Sequence, residues 1–412
     1  MFVGRLDEIA RLETHLLQTR AGQPSNFITT GERGIGKSSL LLYLKGLAEG
    51  AIPLGDSRLR FLVIDTDIDQ HTTQLGLLSK IELGLTRELS TTEPARKFLA
   101  DAWAFLKRIE AGGLKLGDGQ EQKLPETVLE EFSYSFADVC KRLTTDSDDK
   151  SIFDANYDGV LLLIDEADNA SEGLALGSFF KLLIERLQRR ACDHFMVGLA
   201  GLGGLRNVLM TSHPSSLRLF DEVTLGRLTP SEVSTVINIC LRKANEQNQT
   251  PTSVSDKARA LLISFSEGYP HFIQQFGFSA FAADSDGMID ENDVFKGGFT
   301  PGGALDLIGD RYYRDNFYSK LQAESYRQVL RIMADHLDEW IAKQDIRKRF
   351  RGTDAVLANA LKALRDRNII LSKEGKKGVY RLQHKSFAFW IKIWATDPAT
   401  LEQALRPTPG DA

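Results

Sequence analysis

The stretch GERGIGKS at residues 31–38 constrains the chain more than any other feature, because it matches the phosphate-binding pattern G-x-x-x-x-G-K-[ST]. Gly31 and Gly36 let such a loop curl until its backbone N–H groups point inward, where the positive end of the following helix also attracts phosphate. Lys37 can reach the β- and γ-phosphates, and Ser38 can bind Mg²⁺. We therefore expect the chain to bind ATP or GTP with magnesium.

The segments on both sides of this loop have the expected character. Residues 26–30 predict a short strand that enters the loop, and residues 38–47 predict the helix that leaves it. The loop residues expected to contact the nucleotide are Gly31, Glu32, Arg33, Gly34, Ile35, Gly36, Lys37, Ser38 and Ser39.

An acidic pair follows a second apolar strand in VLLLIDEADNA, residues 160–170. A carboxylate at the tip of a buried strand can hold Mg²⁺ through water, and we assign this role to Asp165. Glu166 would then orient or deprotonate the attacking water, with Lys37 as the second catalytic residue. An adjacent Asp-Glu pair favours ATP hydrolysis over a GTPase switch.

Short apolar strands alternate with helices through the first half of the chain, at residues 26–30, 60–65, 160–164 and 195–200. This alternation predicts an α/β fold, a parallel sheet covered by helices on both faces. Residues 84–158 look like an insertion, with helices near 95–109 and 128–143, a glycine-punctuated stretch at 112–125 and a polar loop at 144–151.

The pattern changes at Thr229, where the sequence TPSE predicts a capping box and the start of a helix. From there to about residue 318 the pattern is helical. From residue 319 onward, three helices and a basic hairpin formed by 369–371 and 379–382 have the order of a winged helix. The predicted domains are a nucleotide-binding core (1–226), a helical lid (227–318), a winged helix (319–396) and a flexible tail (397–412).

These segments together resemble, in the right order, the AAA+ ATPases of the origin-initiator, archaeal-type and STAND group. FVGR at residues 2–5 resembles the family box that contacts adenine and ribose, which implies nucleotide contacts for Phe2, Val3 and Arg5; a capped helix start is the alternative. GYPHFIQQFG at 268–277 resembles the Gly-x-Pro lid motif and implies contacts for Pro270 and His271.

The segment after the fourth strand resembles the part of the family that carries an arginine finger. Arg218 is the first candidate and Arg206 the second; a solvated surface arginine is the alternative. Because an arginine finger reaches the γ-phosphate of a neighbouring subunit, the resemblance implies a homo-oligomer. The fourth strand ends in GLAGLGG without a polar side chain, and His271 stands where initiator-type members have a lid arginine. Both features favour a slow, ATP-controlled switch.

Positive charge is concentrated near the C-terminus. Between Trp340 and Lys392, fourteen Lys and Arg against four acids give a net charge of +10, whereas the rest of the chain sums to −15. Such segregation is typical of nucleic-acid binding. The expected DNA contacts are Arg347, Lys348, Lys362, Arg365, Lys373, Lys376 and Lys377. A winged helix that binds a protein partner is the alternative.

Other features exclude several classes. No apolar stretch approaches the roughly 20 residues of a membrane span. Three distant cysteines favour a reduced, cytoplasmic protein without a zinc site. ADSDGMIDENDV at 283–294 resembles a calcium loop, but Ala282 and Asp293 fall where required ligands belong, and Asp290 with Asp293 more simply caps a helix from Glu291.

Two functions remain. The first is a DNA-associated AAA+ ATPase that acts in replication initiation, helicase loading, transposition or mobile-element defence. The second is a STAND-like signalling ATPase whose winged helix mediates protein contacts and autoinhibition. A motor that threads protein substrates is disfavoured, because the sequence has no recognisable aromatic-glycine pore loop.

Overall fold

The computed structural model describes residues 3–111, 126–144, 152–153, 156–248, 250–314, 317–318, 323–373 and 375–395. The chain divides into two compact units, residues 1–226 and 227–412. The predicted glycine-punctuated stretch at 112–125, nearly all of the polar loop at 144–151 and the tail at 397–412 lie outside the described residues.

A sheet of five parallel strands forms the centre of the first unit. Its strands are β1 (Asn26–Gly31), β2 (Phe61–Asp67), β3 (Gly159–Asp165), β4 (Phe195–Gly201) and β5 (Phe220–Leu225), and they lie in the order β2-β3-β4-β1-β5. The predicted α/β fold is therefore confirmed, as are the four predicted strands. The fifth strand was not predicted, because polar and apolar residues mix in FDEVTL and only half of its residues are buried.

Helices cover both faces of this sheet, as its nearly continuous apolar strands require. They are α1 (Leu6–Arg20), α2 (Lys37–Ala48), α3 (Gln74–Leu89), α4 (Glu93–Ala102), α5 (Ala104–Ala111), α6 (Glu126–Thr144), α7 (Leu176–Arg189) and α8 (Leu205–Ser212). Packing across the strands is close: a Cβ on Gly198 would lie 2.2 Å from Cζ of Phe27, so glycine in β4 admits the ring from β1.

The predicted insertion needs two corrections. Its expected start near residue 84 falls inside α3, so the helix begins ten residues earlier, at Gln74. The helix predicted at 95–109 is two helices, α4 and α5, which are separated by Trp103. This indole is fully buried against Phe132 of α6, with ring centroids 5.3 Å apart, in the same apolar cluster as strand residues such as Leu162. The segment is thus part of the core of the first unit.

The second unit contains nine described helices and five short strands. The helices are α9 (Pro230–Gln247), α10 (Asp256–Ser266), α11 (Pro270–Ala283), α12 (Glu291–Phe299), α13 (Ala304–Tyr312), α14 (Glu324–Ala334), α15 (Lys343–Arg349), α16 (Asp354–Asp366) and α17 (Lys385–Trp394). The strands are β6 (Ser253–Val254), β7 (Met288–Ile289), β8 (Ile341–Ala342), β9 (Ile370–Ser372) and β10 (Val379–Leu382). The predicted capping box at Thr229 and the predicted cap formed by Asp290 with Asp293 are both confirmed.

The C-terminal elements follow the order α14, β8, α15, α16, β9, β10 and α17. The three strands pair antiparallel with β10 in the middle. The predicted hairpin and helices are present, but β8 was missed because two residues carry no periodicity. In the described part of the chain, no helix combines the length and apolarity needed to cross a membrane. Cys140 and Cys192 are buried, and Cys240 is exposed on α9.

A buried polar network connects distant parts of the second unit. Glu267, only 8% exposed, precedes α11 and accepts hydrogen bonds from the backbone N–H (2.8 Å) and hydroxyl (3.0 Å) of Ser386 at the start of α17. Burial raises the pKa of Glu267, against the opposing effect of these bonds and of Arg227, 3.6 Å away. Tyr313 completes the network through its hydroxyl, 2.7 Å from Oγ of Ser386. The carboxylate therefore caps α17 from across the unit.

His384 makes the stability of this unit depend on pH. Its ring packs on Tyr269 and Phe272, and burial, with a smaller effect of Arg227, lowers its pKa to about 3. Since the folded state resists protonation, stability is complete above the unfolded pKa of about 6.5 and falls as pH drops toward 3. Between pH 7 and 5 we expect a loss of roughly 1–2 kcal/mol from this residue.

Denaturant unfolding followed by tryptophan fluorescence measures this loss, because Trp340, Trp390 and Trp394 lie in the second unit. His384→Leu should remove the contribution of His384 and leave that of His271, whose pKa burial also lowers. His336→Gln, at a partly buried histidine of the same unit, should retain the contribution of His384. An undiminished pH dependence in His384→Leu would contradict the assignment.

Candidate nucleotide-binding site

The phosphate loop follows directly from the end of β1 and leads into α2. Gly31 lies against its neighbours so closely that a Cβ would stand 2.9 Å from Cγ2 of Ile35 and 3.1 Å from the carbonyl oxygen of Leu225. Gly34 and Gly36 have φ values of 78° and 104°, in the region that favours glycine. The buried Ile35 side chain anchors the loop, so its backbone is held in the curled form that binds phosphate.

Lys37 is held inside this loop. Its Nζ donates hydrogen bonds to the carbonyl oxygens of Gly31 and Glu32, both at 3.0 Å. Burial lowers the pKa of Lys37, and the charges of Asp168 and Asp165 oppose that effect. The ammonium group is thus placed among acceptors that a phosphate oxygen can replace.

Ser38, in the first turn of α2, contacts Asp165, the last residue of β3. The Ser38 hydroxyl donates to Oδ2 of Asp165 at 2.5 Å, and the other oxygen of Asp165 accepts the backbone N–H of Glu166 at 2.8 Å. A neighbouring hydroxyl and carboxylate supply the oxygen ligands that Mg²⁺ prefers. The two residues predicted as metal ligands from the sequence are therefore brought together.

Glu166 is exposed and adopts a left-handed backbone conformation, with φ 53° and ψ 30°. Because such a conformation is unfavourable for residues other than glycine, the surrounding contacts must maintain it. Nδ2 of Asn169 donates to Oε2 of Glu166 at 3.2 Å. Asn169 was not singled out from the sequence, although it lies only three residues beyond Glu166.

Asp168 was also missed. It lies in the short 3-10 helix Ala167–Asn169 and accepts the backbone N–H of Leu202, 2.9 Å away at the end of β4. No sequence spacing relates residues 168 and 202, because the contact depends on the parallel pairing of β3 with β4.

The family model of the AAA ATPase domain matches residues 1–197, which include the loop, Asp165 and Glu166. The first part of the chain therefore carries an AAA ATPase domain. Among curated proteins no match is found.

One solved structure resembles nearly the full length of the chain, beyond the matched domain. The ORC2 protein of Aeropyrum pernix is 13% identical, with a TM-score of 0.50, over 98% of this chain and 96% of that chain. The Cdc6p protein of Pyrobaculum aerophilum is 13% identical over 98% and 97% of the two chains, with a TM-score of 0.41. The similarity to ORC2 shows that the two chains share a fold.

The side chain of Arg5 bonds to the protein backbone. Arg5 is only 6% exposed, and its Nη2 donates to the backbone carbonyls of Ile35 (2.7 Å) and Gly226 (2.9 Å). The guanidinium thus holds the phosphate loop of the AAA ATPase from behind. The nucleotide contact that the resemblance implies for this residue stays a prediction. Val3 is partly buried, whereas Phe2 lies outside the described residues.

The other residues predicted to contact the nucleotide lie in different surroundings. Arg33, Ser38 and Ser39 are exposed, and Glu32 is partly buried. In the second unit, Pro270 occupies the first turn of α11, and Nε2 of His271 lies 3.3 Å from Nη1 of Arg311. Burial, followed by the charge of Arg311, lowers the pKa of His271.

The two arginine-finger candidates are not equivalent. Arg206 forms an ion pair with Glu222 at 2.6 Å. Arg218 is exposed in the 3-10 helix Ser216–Leu219 and has no side-chain partner among the described residues. Of the two candidates, only Arg218 can therefore change its conformation without breaking an ion pair.

The basic residues predicted to contact DNA also fall into two groups. Arg347, Lys348 and Arg365 form ion pairs with Asp354, Asp345 and Asp366, and Lys373 lies 5.6 Å from the ring centroid of Trp340. Lys362, Lys376 and Lys377 are exposed without a side-chain partner in the described ranges. Lys362 lies on α16, and the other two lie in the turn between β9 and β10.

Replacement of Arg5 by lysine tests its supporting role. Lysine offers a point charge in place of the planar fork, so one carbonyl loses its donor. We expect a destabilisation of about 1–3 kcal/mol and nucleotide affinity reduced by roughly tenfold. Arg11→Lys is the matched control: this exposed arginine, on the helix α1 that follows Arg5, pairs with Asp221, and its replacement should change stability by about 0.5 kcal/mol or less.

Thermal unfolding and titration with a fluorescent ATP analogue measure both quantities. Equal effects of Arg5→Lys and Arg11→Lys would show that the buried position of Arg5 has no special part in holding the loop.

Proposed function

We propose that this AAA ATPase is a nucleotide-controlled switch that oligomerises with ATP and acts on DNA through a basic winged helix. The observation that carries the proposal is the combination of one phosphate site with three exposed lysines, Lys362, Lys376 and Lys377, at two neighbouring elements of the C-terminal region. None of the three has a side-chain partner among the residues that the structure describes. Residues 227–318 would act as the lid and 319–396 as the winged helix.

The nucleotide chemistry assigns a role to each residue of the phosphate site. Lys37 would exchange the carbonyls of Gly31 and Glu32 for the β- and γ-phosphates. Ser38 and Asp165 would hold Mg²⁺, directly and through water, and the ion would neutralise charge on the phosphates. Glu166 would orient and deprotonate the attacking water, with its carboxylate held by Asn169.

The similarity to ORC2 of A. pernix supports a switch between two nucleotide states, because that structure contains both ADPNP and ADP. For assembly, we infer that Arg218 reaches the γ-phosphate of a neighbouring subunit. Its exposure and its lack of a partner among the described residues favour it over Arg206, which would first have to leave Glu222.

The DNA-binding role is supported by the order α14, β8, α15, α16, β9, β10, which is that of a winged helix. The exposed face of α16 presents Asn359 and Lys362, as the recognition helix of such a domain requires. Lys376 and Lys377 lie at the tip of the hairpin, where a wing contacts the phosphate backbone.

A second function, a STAND-like signalling ATPase with a protein-binding winged helix, is favoured by the internal ion pairs. Arg349 and Lys392 both pair with Asp335, at 2.6 and 3.4 Å, and Arg347 pairs with Asp354. Each pair reduces the charge that the domain offers to a DNA backbone. The network around Glu267 would also hold α17 in an autoinhibited form.

Charge reversal of these three exposed lysines tests the DNA interface. Lys362→Glu, Lys376→Glu and Lys377→Glu together should weaken binding to duplex DNA and reduce the slope of log K against log salt by about 3, near 0.9 for each phosphate contact. Lys97→Glu, Lys107→Glu and Lys243→Glu change three exposed lysines with the same net charge and should leave the slope almost unchanged.

Fluorescence anisotropy with a labelled duplex, between about 50 and 200 mM salt, measures the slope. Wild-type affinity that stays constant over this range would exclude the DNA role. An equal loss of DNA affinity in both triple variants would mean that net charge alone explains the binding.

Glu166→Gln separates the two functions. Loss of the general base should slow hydrolysis by about 100-fold or more while ATP binding remains, so the ATP form accumulates. We expect light scattering to detect an oligomer with ATP that is promoted by duplex DNA, and Arg218→Ala, but not Arg206→Ala, to weaken it. Assembly that ignores DNA and needs another protein would favour the signalling function instead.

A further inference from the structure

A cleft of the second unit lies between α14, α17 and the turn that follows α15. It encloses about 890 Å³, within the range of roughly 300–1,000 Å³ that is usual for ligand sites. Among the described residues that line it, none belongs to α16 or to the β9–β10 hairpin, the elements proposed to contact DNA. The cleft is therefore a separate surface of the C-terminal region.

This cleft combines an apolar floor with a charged rim. Ile332 of α14 and Ile391 of α17 lie at its base and are buried. The rim carries five cations and two carboxylates, which leave a net charge of +3. They are Arg327, Arg331, Arg349, Arg351 and Lys392, with Glu324 and Asp335. Four of the five cations are arginines, whose planar fork can hold a carboxylate by two parallel hydrogen bonds.

The carboxylates of the rim do not neutralise it, because each is shared by two cations. Asp335 lies 2.6 Å from Nη2 of Arg349 and 3.4 Å from Nζ of Lys392. Arg351, two residues beyond Arg349, is exposed and has no side-chain partner among the described residues. At this end of the cleft, three cations therefore face one carboxylate.

Arg327, at the other end, is held in place by the backbone. Its Nε donates to the carbonyl oxygen of Phe317 at 3.2 Å, and its Nη2 donates to that of Tyr318 at 3.1 Å. Its Nη1 lies 3.8 Å from Glu324, beyond hydrogen-bond distance, whereas Arg331 lies 2.5 Å from the same carboxylate. A guanidinium fixed in this way loses little side-chain entropy when it binds an anion.

We propose that this cleft binds an acidic segment of a partner protein, in which carboxylates flank an apolar side chain. The carboxylates would pair with the arginine forks, and the apolar side chain would lie over Ile332 and Ile391. A duplex matches the cleft less well, because Glu324 and Asp335, 65% and 44% exposed, repel its continuous row of phosphates. The proposal goes beyond the function proposed above and does not depend on DNA binding.

Arg351→Glu tests the cleft, because it reverses one charge of the rim without breaking an ion pair among the described residues. The probe is a fluorescein-labelled peptide, EEELLEEE, and anisotropy measures its binding to the full-length protein. We expect the variant to bind this peptide about fivefold more weakly than the wild type. Arg242→Glu is the matched control: it reverses an exposed arginine of α9 outside the cleft and should leave the affinity unchanged.

The peptide QQQLLQQQ, which lacks the carboxylates, should bind at least fivefold more weakly than EEELLEEE. Equal binding of the two peptides would overturn the proposal, as would equal effects of Arg351→Glu and Arg242→Glu. If Arg351→Glu does not fold by circular dichroism, Arg331→Gln, at a partly buried arginine of the rim, decides by the same measurement.

A labelled duplex separates this cleft from the DNA surface. Arg351→Glu that loses duplex affinity but keeps peptide affinity would assign the cleft to nucleic acid and would likewise overturn the proposal. A wild-type protein that binds EEELLEEE but no duplex would support the cleft and contradict the DNA role alone.

Discussion

Parallel pairing of β3, β4 and β1 is the constraint on which the nucleotide site depends. Carboxyl ends of parallel strands meet at one edge of a sheet, and ligands of open α/β folds bind there. This pairing brings the hydroxyl of Ser38 to 2.5 Å from Asp165, although 127 residues separate them in the chain. It likewise places Asp168 at the end of β4. The helices of the inserted region stabilise the same sheet, because their apolar residues share its core.

The residues that carry chemistry were predictable where the chemistry imposes a local pattern. A phosphate loop needs its glycines, lysine and hydroxyl within eight positions, and a helix start needs its cap and the third residue after it. The sequence therefore predicts the phosphate loop, Asp165 and the helix caps at Thr229 and Asp290. The order of the C-terminal helices and hairpin was also predicted, because these elements have clear periodicity, whereas the two-residue strand β8 was not.

Contacts made by backbone atoms across long sequence distances were not predictable. Arg5 finds its acceptors on residues 35 and 226, and no side-chain pattern marks a carbonyl as an acceptor. Asp168 meets the N–H of Leu202 for a similar reason. The net charge counted from the sequence also overstated how many basic side chains are available to bind DNA. The count does not include ion pairs such as that of Arg349 with Asp335. Such pairs form only when the fold brings α14 and α15 together.

The distribution of thiols has a practical consequence. Because Cys140 and Cys192 are enclosed in the first unit, Cys240 on α9 is the accessible cysteine of the natural chain. A maleimide dye should therefore label the second unit at one position without prior mutagenesis. Energy transfer from such a dye to a fluorescent nucleotide at the phosphate loop would then follow, in real time, how the second unit responds when the first exchanges its ligand.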